Sequence, residues 1–122
     1  MAGNLVPLVM LPRFSTYAGA TSFKTIAMDV TAYQSAILNV WRGPGVGTSP
    51  TMAIAFEEST DQVDWSTCAT TPDPTSTPPA ANTEVQYVAD LKKRWYRVVV
   101  TLGGTAPVVT SWAVGFLEER QN

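Results

Sequence analysis

Apolar and polar residues alternate with a period of two along most of this chain. In residues 23–30, Ile26, Met28 and Val30 share one face, against Thr25, Ala27 and Asp29. In residues 36–42, Ala36, Leu38 and Val40 oppose Ile37, Asn39 and Trp41. Residues 51–58 turn Met52, Ile54 and Phe56 inward and Ala53, Ala55 and Glu57 outward. Residues 84–90 set Val85, Tyr87 and Ala89 against Gln86 and Val88. Residues 95–102 set Tyr96, Val98, Val100 and Leu102 against Arg97, Val99 and Thr101. In residues 108–117, Val108, Thr110, Trp112, Val114 and Phe116 oppose smaller residues. Successive side chains of a strand point to opposite faces, so each run reads as a half-buried strand. Their β-branched and aromatic content fits that reading.

Turn residues punctuate the runs. Gly43-Pro44-Gly45-Val46-Gly47 is predicted to end one strand and separate it from the next. Gly103-Gly104 is predicted to be a tight hairpin turn. Residues 70–83 form a proline-rich loop, and its fourteen residues are long for a connection inside a compact domain. No helical periodicity outlasts a turn. Six or seven short strands with turn signals between them predict an all-β fold. The expected architecture is an antiparallel β-sandwich, jelly-roll or immunoglobulin-like.

The N-terminus differs. Residues 1–14 are apolar but broken by Pro7 and Pro12, and the first positive charge is Arg13. A secretory signal would place its charge before the apolar stretch, and proline forbids a regular helix. The expected organisation is an extended N-terminal arm over 1–14, then one sandwich domain over 15–122. Leu5, Val6, Leu8, Val9, Leu11 and Phe14 are candidates for contact with a neighbouring subunit. The alternative is an edge strand packed on its own domain. In the arm reading, deleting residues 1–12 leaves a folded sandwich that assembles less well.

Composition narrows the chemistry. The 122 residues carry 8 Lys plus Arg, 10 Asp plus Glu, no His and one Cys. Without His there is no Ser-His or Cys-His nucleophile pair. One Cys closes no intramolecular disulfide and builds no cysteine-rich zinc site. A net charge of −2 does not suit a generic nucleic-acid binder. No apolar run reaches the ~18 residues that span a bilayer as a helix. These features predict no enzyme, no cofactor, no metal, no nucleic acid and no membrane. Only 15% of residues are charged, against the usual ~25%. That leaves much surface suited to meeting other protein.

Local motifs add little chemistry. Glu57 and Glu58 are adjacent on a strand, so they point to opposite faces and cannot form a glycosidase pair. Asp61 and Asp64 flank a turn but lack the fuller ligand run of a calcium loop. Lys92, Lys93 and Arg94 form the one basic cluster. They are a candidate partner surface, together with Trp41, which lies opposite the Leu38 and Val40 face. Trp65, Trp95 and Trp112 occupy strand positions where a sandwich needs core bulk. Cys68 reads as a buried small hydrophobe.

The segment Ser59-Thr60-Asp61-Gln62-Val63-Asp64-Trp65 resembles the Ser-x-Asp-Gly-x-x-Trp hairpin of small β-sandwich domains in phage virion proteins and in adhesion or sugar-binding modules. Gln62 stands where Gly is usual, so a turn without a positive φ is expected there. With the apolar arm, the Thr- and Pro-rich strands and the final strand 108–117, the chain resembles small virion proteins of the capsid-decoration (cement) type. The resemblance implies a non-enzymatic sandwich that binds and stabilises a phage head. Its implied partners are the major capsid protein or other virion subunits, and further copies of itself in a homo-oligomer. Its implied location is the capsid surface, after synthesis in the host cytoplasm. Two alternatives stay open: a carbohydrate-binding or adhesion module, with Trp41 as first suspect, and a tail, neck or head-completion component.

Overall fold

The computed structural model describes residues 4–120, with every side chain in that span except that of Phe14. The contact expected of Phe14 therefore lies outside the described residues. Among the described residues, eight strands follow one another without a helix: β1 (Leu5–Ala18), β2 (Ser22–Lys24), β3 (Met28–Asp29), β4 (Tyr33–Ser59), β5 (Ser66–Thr67), β6 (Ala69–Thr71), β7 (Thr83–Asp90) and β8 (Trp95–Glu119). All pairings are antiparallel, and the main order is β1-β8-β4-β7-β6.

Two long strands dominate. β4 and β8 pair from Tyr33↔Glu119 to Ser59↔Trp95. Neither the Gly43–Gly47 segment nor Gly103-Gly104 ends a strand, contrary to the sequence expectation. Both are bends within one continuous ladder, marked by register shifts between Arg42 and Thr51.

The bend folds the ladder back on itself. Asp90 pairs with Ser35, and the backbone N–H of Lys92 donates to the Glu58 carboxylate at 2.9 Å. A straight strand would hold Ser35 and Glu58 about 75 Å apart. One half of the sheet therefore contains β1, β7 and the Tyr33–Arg42 part of β4 with the far end of β8. The other contains β2, β3, β5 and the Thr51–Ser59 part of β4 with the start of β8. The inner faces of the two halves meet in one core of Leu38, Val40, Phe56, Tyr87, Tyr96, Val98, Val100 and their neighbours. The all-β antiparallel expectation thus takes the form of one folded-over sheet, with β4 and β8 running through both halves.

The corner has a reciprocal design. Gly47 (φ +112°) lies against the carbonyls of Thr105 and Ala106, and Gly104 (φ +102°) lies against those of Thr48 and Ser49. A Cβ on either would approach backbone oxygen at 2.6 Å. Ser49 and Ala106 are also left-handed. These bends reset which face of β8 points inward. Before the corner Tyr96, Val98, Val100 and Leu102 are buried; after it Val109, Ser111, Ala113 and Leu117 are. Trp112 and Phe116 consequently face outward, not into the core.

Of residues 1–14, read from sequence as an arm, those from Leu5 onward lie in β1, and 1–3 lie outside the described residues. This strand pairs with β8 from Leu5↔Glu118 to Ala18↔Val108. Leu8, Met10 and Leu11 are buried in the chain's own core. Leu8 and Leu11 are therefore not free to contact a neighbour, and the edge-strand alternative describes this segment. Pro7 and Pro12 are tolerated because β1 has a partner on one side only.

Candidate interaction surface

Cross-strand partners share a face, so the register places the outward side chains of the first half in rows. One row runs Pro7, Phe116, Ile37, Val88 across β1, β8, β4 and β7. The next runs Val9, Val114, Asn39, Gln86. A third joins Trp112, Trp41 and Glu84, with the Arg13 guanidinium over the Trp112 ring at 5.3 Å. The fourth, at the opposite end, runs Leu5, Glu118, Ser35, Asp90. The two middle rows carry no charge. Val9 is 60% exposed, Leu5 52% and Phe116 41%. A shallow depression bordered by Pro7, Val9, Arg13, Asn39, Val114 and Phe116 runs across this face.

Of the sequence candidates, Leu5 and Val9 belong to this face, Val6 is half-buried against the core, and Trp41 forms part of the third row. Trp41 and Trp112 stack at 4.2 Å between centroids, 19° from parallel. The edge of the Trp41 ring overhangs Gly43. Arg13, Trp112 and Trp41 thus form a three-layer stack, with both faces of Trp112 covered. A sugar platform offers a free ring face, which this arrangement does not give Trp112. Sequence reasoning missed Arg13, Ile37, Val88, Val114 and Phe116 as surface residues. In residues 108–117 the bulk lies on the Trp112, Val114 and Phe116 face and the small residues Ser111, Ala113 and Gly115 on the other, so size alone pointed to the wrong face.

The basic cluster does not form a patch. Arg94 pairs with Asp29 at 3.1 Å and lies over Trp95 at 5.1 Å. The Lys93 amine donates to the Ser66 hydroxyl at 2.8 Å, and Lys92 lies 3.8 Å from Asp90. Each cation has its own partner. The loop beneath them is held by Glu58, a buried carboxylate that accepts the N–H groups of Lys92 and Lys93 at 2.9 and 3.2 Å. Glu57 points the other way, to Arg97 at 2.8 Å, and Arg97 lies 3.9 Å over the Trp65 ring. The two carboxylates therefore take opposite faces, as adjacent strand residues must. Trp65, Trp95 and Trp112 are all half-buried on the outside, so none supplies the core bulk expected of them. Arginine covers each of them instead.

The Ser59–Trp65 turn is closed by side chains. The Ser59 hydroxyl oxygen accepts the N–H of Asp61 and Gln62, and the Asp61 carboxylate accepts those of Val63 and Asp64. These bonds hold the Asp61 carboxyl below its ordinary value of 3.8. Gln62 has a φ of +64°. It therefore keeps the left-handed geometry of the usual glycine, against the sequence expectation, because the flanking hydrogen bonds fix the turn.

The proline-rich segment is tied down within the chain. The Tyr87 hydroxyl donates to the Thr77 carbonyl at 2.6 Å, and the Asp73 carboxylate accepts the Thr75 N–H at 2.8 Å. Arg42, also buried, donates to the Pro79 and Pro50 carbonyls at 3.4 and 3.0 Å. Cys68 is 3% exposed, and burial, with Glu58, Glu57 and Asp90 adding to it, pushes its thiol up to about 12. A thiol held that far up is protonated at neutral pH and is a poor nucleophile. Among the described residues, no group of three His, Cys, Asp or Glu side chains is placed to hold a metal ion. No family model, curated protein or solved structure matches this chain.

Proposed function

We propose that this chain is a non-enzymatic structural protein of a virus particle, of the capsid-decorating kind, and that it works by contact with other protein. The observation that carries the reading is the outward face of β1, β8, β4 and β7. Its two middle rows are uncharged and include Val9, Val114, Phe116, Ile37 and Val88. An exposed apolar patch rimmed by polar and charged residues is a mark of an interaction surface. On a lattice, modest contacts repeated over many subunits stabilise the assembled form through avidity.

The test is co-sedimentation with purified phage capsids stripped of their minor proteins. Saturable pelleting at a fixed ratio to the major capsid protein supports the reading. A chain that stays in the supernatant at every ratio overturns it.

A further inference from the structure

We propose that the apolar outward face binds a second copy of this chain in a two-fold symmetric pair, with the axis parallel to the strands and running between β4 and β8. The inference rests on the reading of this face as a protein-contact surface and names its occupant.

Charge placement selects both the occupant and the axis. A two-fold axis along the strands keeps each row at its own height and exchanges the columns. Arg13, at the β1 end of the tryptophan row, then meets Glu84 of the second copy, at the β7 end. Phe116 meets Ile37 of the second copy, and Pro7 meets its Val88. Trp112 meets Trp41. The far row brings Leu5 against Asp90 and Glu118 against Ser35, without a like-charge encounter. An axis across the strands would reverse the rows instead. It would set Glu84 against Asp90 of the other copy and Trp112 against Glu118. Like charges opposed at an interface are unfavourable, so that arrangement is selected against. The face is thus complementary to itself in one orientation, as an isologous interface must be.

Its size also fits a second copy. Four strands about 4.8 Å apart, over about seven residues of 3.4 Å each, give a footprint of roughly 450 Å² per copy. Two such faces, with the relief of their side chains, bury close to the ~1,000 Å² that a specific interface needs. An interface at this lower bound gives a weak pair, with a dissociation constant on the order of micromolar.

Sedimentation velocity from about 1 to 500 μM spans that range. The expected result is a concentration-dependent shift from the 13.1 kDa chain to twice that mass. Phe116→Lys replaces an exposed side chain, so it keeps the wild-type melting curve and stays monomeric throughout. Arg13→Glu and Glu84→Arg each weaken the pair about tenfold, and the double swap returns it to within about threefold of wild type. In one chain the two residues lie at opposite ends of a row, so recovery reports contact between copies. A wild-type monomer at all concentrations overturns the proposal, as does a dimer indifferent to Phe116→Lys. Dimerisation without recovery in the double swap overturns the proposed axis. A monomer that pellets with capsids overturns this inference alone; a dimer that never pellets overturns the decoration reading alone.

Discussion

The ring of Phe56 lies 5.3 Å from that of Tyr87, centroid to centroid, across the core between the two halves of the sheet. Phe56 belongs to one half and Tyr87, whose register partner is Leu38, to the other. Both are essentially removed from solvent. Phe56→Ala removes the ring from a packed site that cannot fully collapse. It is expected to lower unfolding free energy by about 3–5 kcal/mol, read from equilibrium urea denaturation. A loss below about 1 kcal/mol would mean that the halves do not meet there.

Deleting residues 1–12 should abolish stable folding. The deletion removes Leu8, Met10 and Leu11 from the core and unpairs one edge of β8. Each such side chain contributes about 1.5–3 kcal/mol by burial, so the three together rival the margin of a small domain. Circular dichroism melting decides the point. A cooperative transition at the wild-type temperature would restore the separable-arm reading of the sequence.

Gly115→Ala should be among the most damaging single changes. A Cβ at this position overlaps the carbonyl oxygen of Ile37 on β4. The obstacle is backbone in the middle of the ladder, so it cannot rotate away. A loss of about 2–4 kcal/mol in chemical denaturation is expected, with Gly103→Ala milder because the Thr51 hydroxyl there can turn aside.

Stability should be flat near neutral pH and fall at both extremes. Asp29 is held below its ordinary 3.8 by the Thr31 side chain and backbone, with Arg94 adding to them, and Asp61 by the N–H groups of Asp64 and Val63 and the Ser59 hydroxyl. A depressed carboxyl contributes stability above its unfolded value and loses it as pH falls through the folded one. The acid limb therefore begins below about pH 4, and Asp61→Asn should shorten it. Burial raises the Tyr87 hydroxyl to about 12 and that of Tyr96 well above 10.0. A raised group contributes stability below its unfolded value and loses it as pH rises through the folded one. Melting temperature should thus decline from about pH 10 upward. Tyr87→Phe should weaken that decline.

The core of the long ladder was legible in the sequence because its period of two persists. Leu38, Val40, Phe56, Tyr87, Tyr96 and Val98 all lie where alternation puts them. The corner was not legible. Glycine runs signal a break in ordinary strand geometry, but they do not say whether the strand ends or bends. Here the reciprocal approach of Gly47 and Gly104 to opposing carbonyls makes a bend, and with it β8 changes its buried face. That change moved Trp112 and Phe116 from expected core to surface. The candidate surface was therefore only partly legible, through Leu5, Val9 and Trp41. Its other members depend on a face assignment that period-two patterning cannot carry across a bend.

In the proposed role, the outward face of β1, β8, β4 and β7 is covered by protein when the chain is at work. Maleimide labelling of Val9→Cys tests it most directly. Val9 is 60% exposed, and the native Cys68 is buried with its thiol raised to about 12, so the introduced thiol reports alone. Rapid labelling is expected in dilute solution, and strong protection in concentrated solution and on capsids to which the chain is bound. An unchanged labelling rate under all three conditions would contradict it.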